Sequence, residues 1–209
     1  GLLAGVAAMA VSAGVEAQAT CTPLLIGGQG GVLCSGDNGN VPVVFDLGNH
    51  VFLTDQWTST APVTFRGIPD LVALYGVIDT TATTDPAVYV TGPVGGATNW
   101  ILNTGTLVSG TGAGLLVSGD ITLGRIENTG SITSAGTAVS VFGGVTRDVA
   151  NSGTIHGDAA AVAFYGPLGG SITNFSAGEI TGGGFGLVVL GDMDGSLINW
   201  GTIASVTSS

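Results

Sequence analysis

Any chemistry in this sequence has to come from few side chains. His50 and His156 are its two imidazoles, and Arg66, Arg125 and Arg147 are its three basic residues, with no lysine. His156, Asp158 and the nearby Ser152 supply the residue types of a base, an orienting acid and a nucleophile. They fall in and just after one strand of a regular repeat, where ordinary surface polarity accounts for them, so no catalytic residue is assigned. Asp192 and Asp194 would point the same way on an extended segment, roughly 7 Å apart. That lies inside the ~5–9.5 Å window for the paired carboxylates of glycoside hydrolysis. Gly191-Asp192-Met193-Asp194-Gly195 reads more simply as a turn between repeats. Asp-x-Asp-Gly also begins a calcium loop, but the later acidic ligand is missing and no Gly-Gly-x-Gly-x-Asp nonapeptide recurs. The absence of lysine removes Lys-based mechanisms and phosphate loops ending in Lys. The arginines sit at different phases of the repeat and make no anion site. The expectation is a chain that is not an enzyme and takes no cofactor or metal.

The elements that position these residues are constrained by composition. Glycine supplies 38 of 209 residues, about 18% against roughly 7% in ordinary proteins. Charged residues make up 8%, and 14 acids against 3 bases give a formal charge of -11. Nucleic acid is excluded as a partner, because three scattered arginines cannot neutralise a phosphate backbone. Hydrophobic residues at 44% are enough to drive folding. Glycine well short of one third with no triplet period excludes collagen, and abundant Gly, Val, Ile and Thr disfavour helices. The class is all-β.

The governing signal is a repeat of about 24 residues. Ile101-Leu102-Asn103-Thr104-Gly105-Thr106-Leu107 recurs around Asn128, Asn151, Asn174 and Asn199 as apolar-x-Asn-x-Gly-x-apolar. In the fourth copy Gly178 and Ile180 come late, which implies a two-residue insertion after Asn174. Each copy holds an alternating stretch as well: Leu115 and Val117, Val139 and Val141, Val162 and Phe164, Leu187 and Val189. A third stretch precedes the next asparagine, as in Ile121-Thr122-Leu123 and Gly170-Ser171-Ile172. Three short strands per coil cannot bury one apolar face alone, whereas stacked coils make a continuous interior. The predicted fold is a right-handed parallel β-helix, with roughly seven coils from residue 36 onward and a length near 35 Å. Ile101, Ile126, Val149, Ile172 and Leu197 should form one inward column, and Leu107, Ile132, Ile155, Ile180 and Ile203 another. Asn103, Asn128, Asn151, Asn174 and Asn199 should form a structural amide ladder between them. Before residue 100 the pattern decays: Val88 and Val90 still alternate, and Asp79 stands where the next asparagine is expected.

These boundaries suggest three segments. Residues 1–19 carry an uncharged apolar run and Ala17-Gln18-Ala19, the features of an export signal cleaved before Thr20. Residues 20–78 read as a cap with degenerate coils, and residues 79–209 as the repeats. Cys21 and Cys34, the only cysteines, have no histidine neighbours to complete a zinc site; a disulfide would close a short Gly-rich loop worth about 3 kcal/mol, the alternative being two buried thiols.

The Asn-x-Gly-x-Ile repeats, the export signal and the Cys-bounded segment ending Cys34-Ser35-Gly36-Asp37 resemble the start of an autotransporter (type V secretion) passenger domain. That resemblance implies export through the periplasm to the cell surface or beyond in a Gram-negative bacterium. It also implies a C-terminal translocator β-barrel as partner, lying outside these residues. The function expected is a surface stalk or adhesin scaffold; the alternative is a β-helix lyase or hydrolase acting on polysaccharide. Leu102, Phe175, Ile198 and Trp200, with Trp100, should face outward beside the asparagines as an apolar interaction face for a host protein, a glycan or a second copy.

Overall fold

The computed structural model describes residues 19–26, 29–46, 50–66, 71–92, 94–95, 100–122 and 124–206. The proposed export signal falls almost wholly outside them. The described residues form β-strands and turns with no helix, wound into a parallel β-solenoid of about six turns at about 25 residues each. Six spacings of ~4.8 Å between the seven strands of each smaller sheet give a rise of about 29 Å over those coils.

Each turn lays down three strands, such as Trp100–Asn103, Thr106–Ser109 and Leu115–Val117. Equivalent strands of successive turns pair in parallel, which generates one nine-stranded and two seven-stranded sheets. The register is that of the repeat. Ile101 pairs with Ile126, then Val149, Ile172 and Leu197, and Leu107 with Ile132, Ile155, Ile180 and Ile203. Away from the last turn these side chains are buried, because strand alternation aims every second residue at the axis. A third inward pair of columns runs through Val88, Leu115, Val139, Val162 and Leu187, and through Val90, Val117, Val141, Phe164 and Val189.

The third strand does not arise where the repeat placed it. The apolar-x-Asn-x-Gly-x-apolar motif is itself two strands, broken at the turn between Asn103 and Thr106. The stretch ahead of each asparagine is a corner. Ile121–Thr122 pairs with Val94–Gly95, and Val145, Leu168 and Met193 continue that column as single bridges. Ile172 belongs to the asparagine strand itself.

Asp79 is not the missing asparagine. It pairs with Val108 on the second sheet, and Leu74 occupies the position beneath Asn103. The stretch from Thr80 to Val88 is two residues longer than that from Ser109 to Leu115. The stretch from Val88 to Trp100 is likewise two longer than that from Leu115 to Arg125. The coil from Leu74 to Asn103 is therefore 29 residues long against 25 for the next, and the repeat of about 24 lands on Asp79, five residues past the structural equivalent.

The coils continue back through Val43–Asp46 and His50–Leu53, filled by larger side chains: Phe45 and Phe65 stack with centroids 5.3 Å apart, and Trp57 is buried. Ahead of them, β1 (Thr20–Ile26) runs antiparallel to β2 (Gln29–Ser35), placing Cys21 opposite Cys34 in a disulfide. β2 in turn pairs in parallel with His50–Leu53. The hairpin thus covers the first edge of the largest sheet, an edge that would otherwise offer unpaired backbone groups.

Candidate functional site: the asparagine ladder and its surroundings

The longest buried polar column among the described residues is that of the asparagines. Asn103, Asn128, Asn151 and Asn174 are each at most 2% exposed. The Nδ2 group of Asn103 donates to Oδ1 of Asn128 at 2.8 Å, Asn128 to Asn151 at 2.8 Å, Asn151 to Asn174 at 2.8 Å, and Asn174 to Asn199 at 2.9 Å. Each amide also donates to two main-chain carbonyls at the turn. For Asn128 these are Gly130 at 3.3 Å and Thr154 in the next coil at 3.2 Å. Asparagine suits the corner because its short amide adds a second donor to turn carbonyls that already accept one backbone amide from the next coil, and supplies an acceptor for the asparagine before it. In the fourth copy the insertion is visible: Asn174 reaches Gly178 at 3.1 Å, four residues on, across a turn closed by the Gly178 amide on the Phe175 carbonyl.

Glycine follows for a steric reason. A Cβ on Gly105, Gly130 or Gly153 would land on the carbonyl oxygen of the glycine one coil below: Gly76, Gly105 or Gly130 respectively. The positive-φ glycines are Gly36, Gly39 and Gly92, so stacking distance, not dihedral freedom, selects glycine at this corner.

The column beneath the ladder is apolar: Asn103 sits over Leu74, Leu74 over Leu53, and Leu53 over Cys34. Asn103 Oδ1 is consequently buried with no donor. This yields a paired prediction. Leu74→Asn supplies a donor to Asn103 Oδ1 and partly offsets the lost apolar burial, whereas Leu53→Asn places its amide between Cys34 and Leu74. Leu53→Asn should therefore be the more destabilising by about 1 kcal/mol or more, read from urea unfolding of both variants. Equal losses would show that the ladder cannot be lengthened.

A second polar column went unread in the sequence. Thr80, Ser109 and Ser134 are buried in register at the next corner, followed by Gly157 and Gly182. Ser109 Oγ donates to the Asp85 carbonyl at 2.9 Å, and Ser134 Oγ to the Gly112 carbonyl at 2.5 Å while accepting from the Gly136 amide at 2.8 Å. Leu107-x-Ser109 and Ile132-x-Ser134 were the available signal, hidden because serine is common in turns.

The catalytic candidates do not assemble. His156 faces outward from the second sheet, its Nδ1 3.0 Å from Thr181 Oγ1 and its Nε2 3.3 Å from Asp158. Both ring nitrogens are thereby engaged, and Ser152 lies at the preceding corner, its amide donating to Asn128. His50 lies coils away, on the strand beside β2. Asp192 and Asp194 are exposed and flank the bridge residue Met193, and their backbone bonds to Leu168 of the preceding coil: the Leu168 amide donates to the Asp192 carbonyl and the Asp194 amide to the Leu168 carbonyl. Among the described residues no group of three or more His, Cys, Asp or Glu is placed to hold a metal ion. Arg125 lies over the Trp100 ring at 3.8 Å and pairs with Glu127 at 2.7 Å, while Arg66 and Arg147 stand on other parts of the surface.

The outward apolar positions separate into two groups. Leu102 and Ile198 share one column, but Glu127, Ala150 and Thr173 lie between them and Leu102 is half-buried. Phe175 and Trp200 follow the last two ladder asparagines, 43% and 63% exposed, with ring centroids 5.8 Å apart. Of the outward residues named from the sequence, the structure brings Phe175 and Trp200 together as a local exposed aromatic pair. Outward sites do not touch the axis, so nothing in coil stacking keeps them alike.

Compared with protein-family models, with curated proteins and with solved structures, the chain matches none.

Proposed function

We propose that this chain is the N-terminal part of an autotransporter-type passenger, a non-enzymatic stalk or adhesive scaffold displayed on a Gram-negative surface. The observation that carries the reading is the uninterrupted in-register stacking: the same columns run from coil to coil, with polar residues inside used to hold turns. Such a rod holds a tip away from a membrane without needing a cleft, and its faces are available for contact along their length. Two further features fit export. Apart from the one Cys21–Cys34 hairpin, nothing covalent constrains the chain, so it could cross a pore extended and fold by adding coils on the far side. An acidic chain without lysine also has little attraction for nucleic acid inside a cell. On this reading the partners are the protein's own C-terminal β-barrel and a host surface protein or glycan.

The test is localisation of the natural full-length protein in its own cell. The expected result is a mature N-terminus at Thr20, an oxidised Cys21–Cys34 pair, and loss of the rod when intact cells are treated with protease. An untrimmed, reduced chain in the cytosolic fraction would overturn the proposal.

A further inference from the structure

The sequence Asp37-Asn38-Gly39-Asn40 contains an Asn-Gly step, the pair at which a backbone amide most readily attacks a side-chain amide, because glycine puts no Cβ in the way. In the structure both the leaving amide and the attacking nitrogen are held in other hydrogen bonds. The Asn38 side chain is buried, its Nδ2 donating to the Val41 carbonyl at 2.5 Å and to Ser59 Oγ at 3.3 Å. The Asn38 amide donates to the Thr58 carbonyl at 2.7 Å, and the Gly39 carbonyl accepts from the Thr60 amide at 2.7 Å. The Gly39 nitrogen, which would be the nucleophile, donates instead to Asp37 Oδ1 at 2.9 Å, and Thr58 Oγ1 donates to the same oxygen at 2.9 Å. Gly39 has φ +59, a left-handed conformation that glycine adopts without the steric cost a Cβ would add.

We propose that Asn38–Gly39 is a latent deamidation site, locked by folding of the first coil, with the Asp37 carboxylate as the lock on the attacking nitrogen. The reaction it holds off is balanced without any co-reactant but water. Gly39 N bonds to Asn38 Cγ, the Cγ–Nδ2 bond breaks, and Nδ2 leaves as ammonia, taking up the Gly39 amide proton. Water then opens the succinimide to aspartate or isoaspartate at position 38. Either product sets a carboxylate where an amide had donated, so the donation to the Val41 carbonyl is replaced by repulsion between oxygens and the Ser59 hydroxyl must leave its Ala61 acceptor to meet the new charge. Isoaspartate also lengthens the backbone by one carbon within the turn. The change is irreversible and weakens the segment joining β2 to the first coil. The step therefore records time a chain has spent unfolded, while the folded rod is spared.

The Gly39 hydrogen bond, and after it the Thr58 one, lower the Asp37 pKa, so the lock stays charged at any pH where base-driven attack is appreciable. The inference stands on this turn alone and is independent of where the protein is displayed.

The test is peptide mapping by mass spectrometry of the whole chain held for days at mildly alkaline pH, in buffer and in urea. Folded wild type should convert at position 38 at least about tenfold more slowly than the unfolded chain, the factor that one charge-assisted hydrogen bond commands. Asp37→Ala, shown by circular dichroism to keep its β-structure, should convert several-fold faster than wild type in buffer and at an unchanged rate in urea. If Asp37→Ala proves unstable, Asp37→Ser retains an uncharged acceptor for Gly39 and should give an intermediate rate. Equal rates in buffer and urea for wild type would overturn the proposal. Folded Asp37 variants matching wild type would overturn the assignment of the lock to Asp37.

Discussion

Gly130→Ala is expected to lower stability by about 3 kcal/mol or more, although it adds a single methyl group at a partly exposed turn. The added carbon lands on the Gly105 carbonyl oxygen, with the Thr104 carbonyl behind it. Both belong to backbone fixed by sheet pairing on either side: the Ser131 amide donates to the Gly105 carbonyl at 2.9 Å, and the Thr129 amide to the Asn103 carbonyl at 2.8 Å. Neither coil can retreat without lengthening those bonds, so the cost belongs to the upper part of the range for overpacked sites. For a chain of this size it should appear as a fall in melting temperature of about 10 °C. Because each coil touches only its neighbours, hydrogen exchange should accelerate most between residues 100 and 155 and least around the Cys21–Cys34 hairpin. A melt within a degree of wild type would show that the corner can widen and that glycine is there for another reason.

The second large effect is Asn151→Leu, expected to cost about 3 kcal/mol. The leucine fits by shape, since Leu74 and Leu53 occupy the same column. What is lost is wiring. The substitution removes donations to Gly153, Asn174 and Glu179 and takes away the acceptor for Asn128 Nδ2. Asn174 Oδ1 is then left without its donor in an interior without water, while the Gly153 carbonyl keeps only the Glu179 amide. Position along the column sets a gradient. Asn103→Leu should cost less than Asn151→Leu, because nothing donates to Asn103 Oδ1, and Asn199→Leu least, because that residue is exposed. Urea unfolding of the three variants checks the order. If Asn199→Leu cost as much as Asn151→Leu, the ladder would not be what the asparagines are for.

Much of this architecture was legible because a solenoid copies its interior. A residue facing the axis packs against its equivalents above and below, so Ile126 can be inferred from Ile101 and Val149, and the asparagines announce a column. The reading failed where that copying stops. Asp79 was misplaced because loop insertions change the coil length without changing the stack. Leu74 and Leu53 were passed over since a corner can be filled by an apolar side chain as well as by an amide. Ser109 and Ser134 lacked a distinctive residue type, although they satisfy turn carbonyls as the asparagines do. Leu102 and Ile198 do share an outward column, with Glu127, Ala150 and Thr173 between them. Catalytic groups were legible chiefly through their scarcity: His156 and Asp158 do meet, but with Thr181 as the third member of the group.

The ladder is also directional. Every carboxamide points its N–H toward the following coil and its oxygen toward the preceding one. Four aligned links therefore add head to tail, as peptide dipoles do in a helix, and each polarises the next. The negative pole is the Asn103 oxygen, sealed against Leu74, and the positive pole is the NH2 of Asn199. No single amide can flip without setting oxygen against oxygen on one side and hydrogen against hydrogen on the other. The row behaves as one switchless wire, and it gives an otherwise uniform stack of coils an electrical sense of up and down.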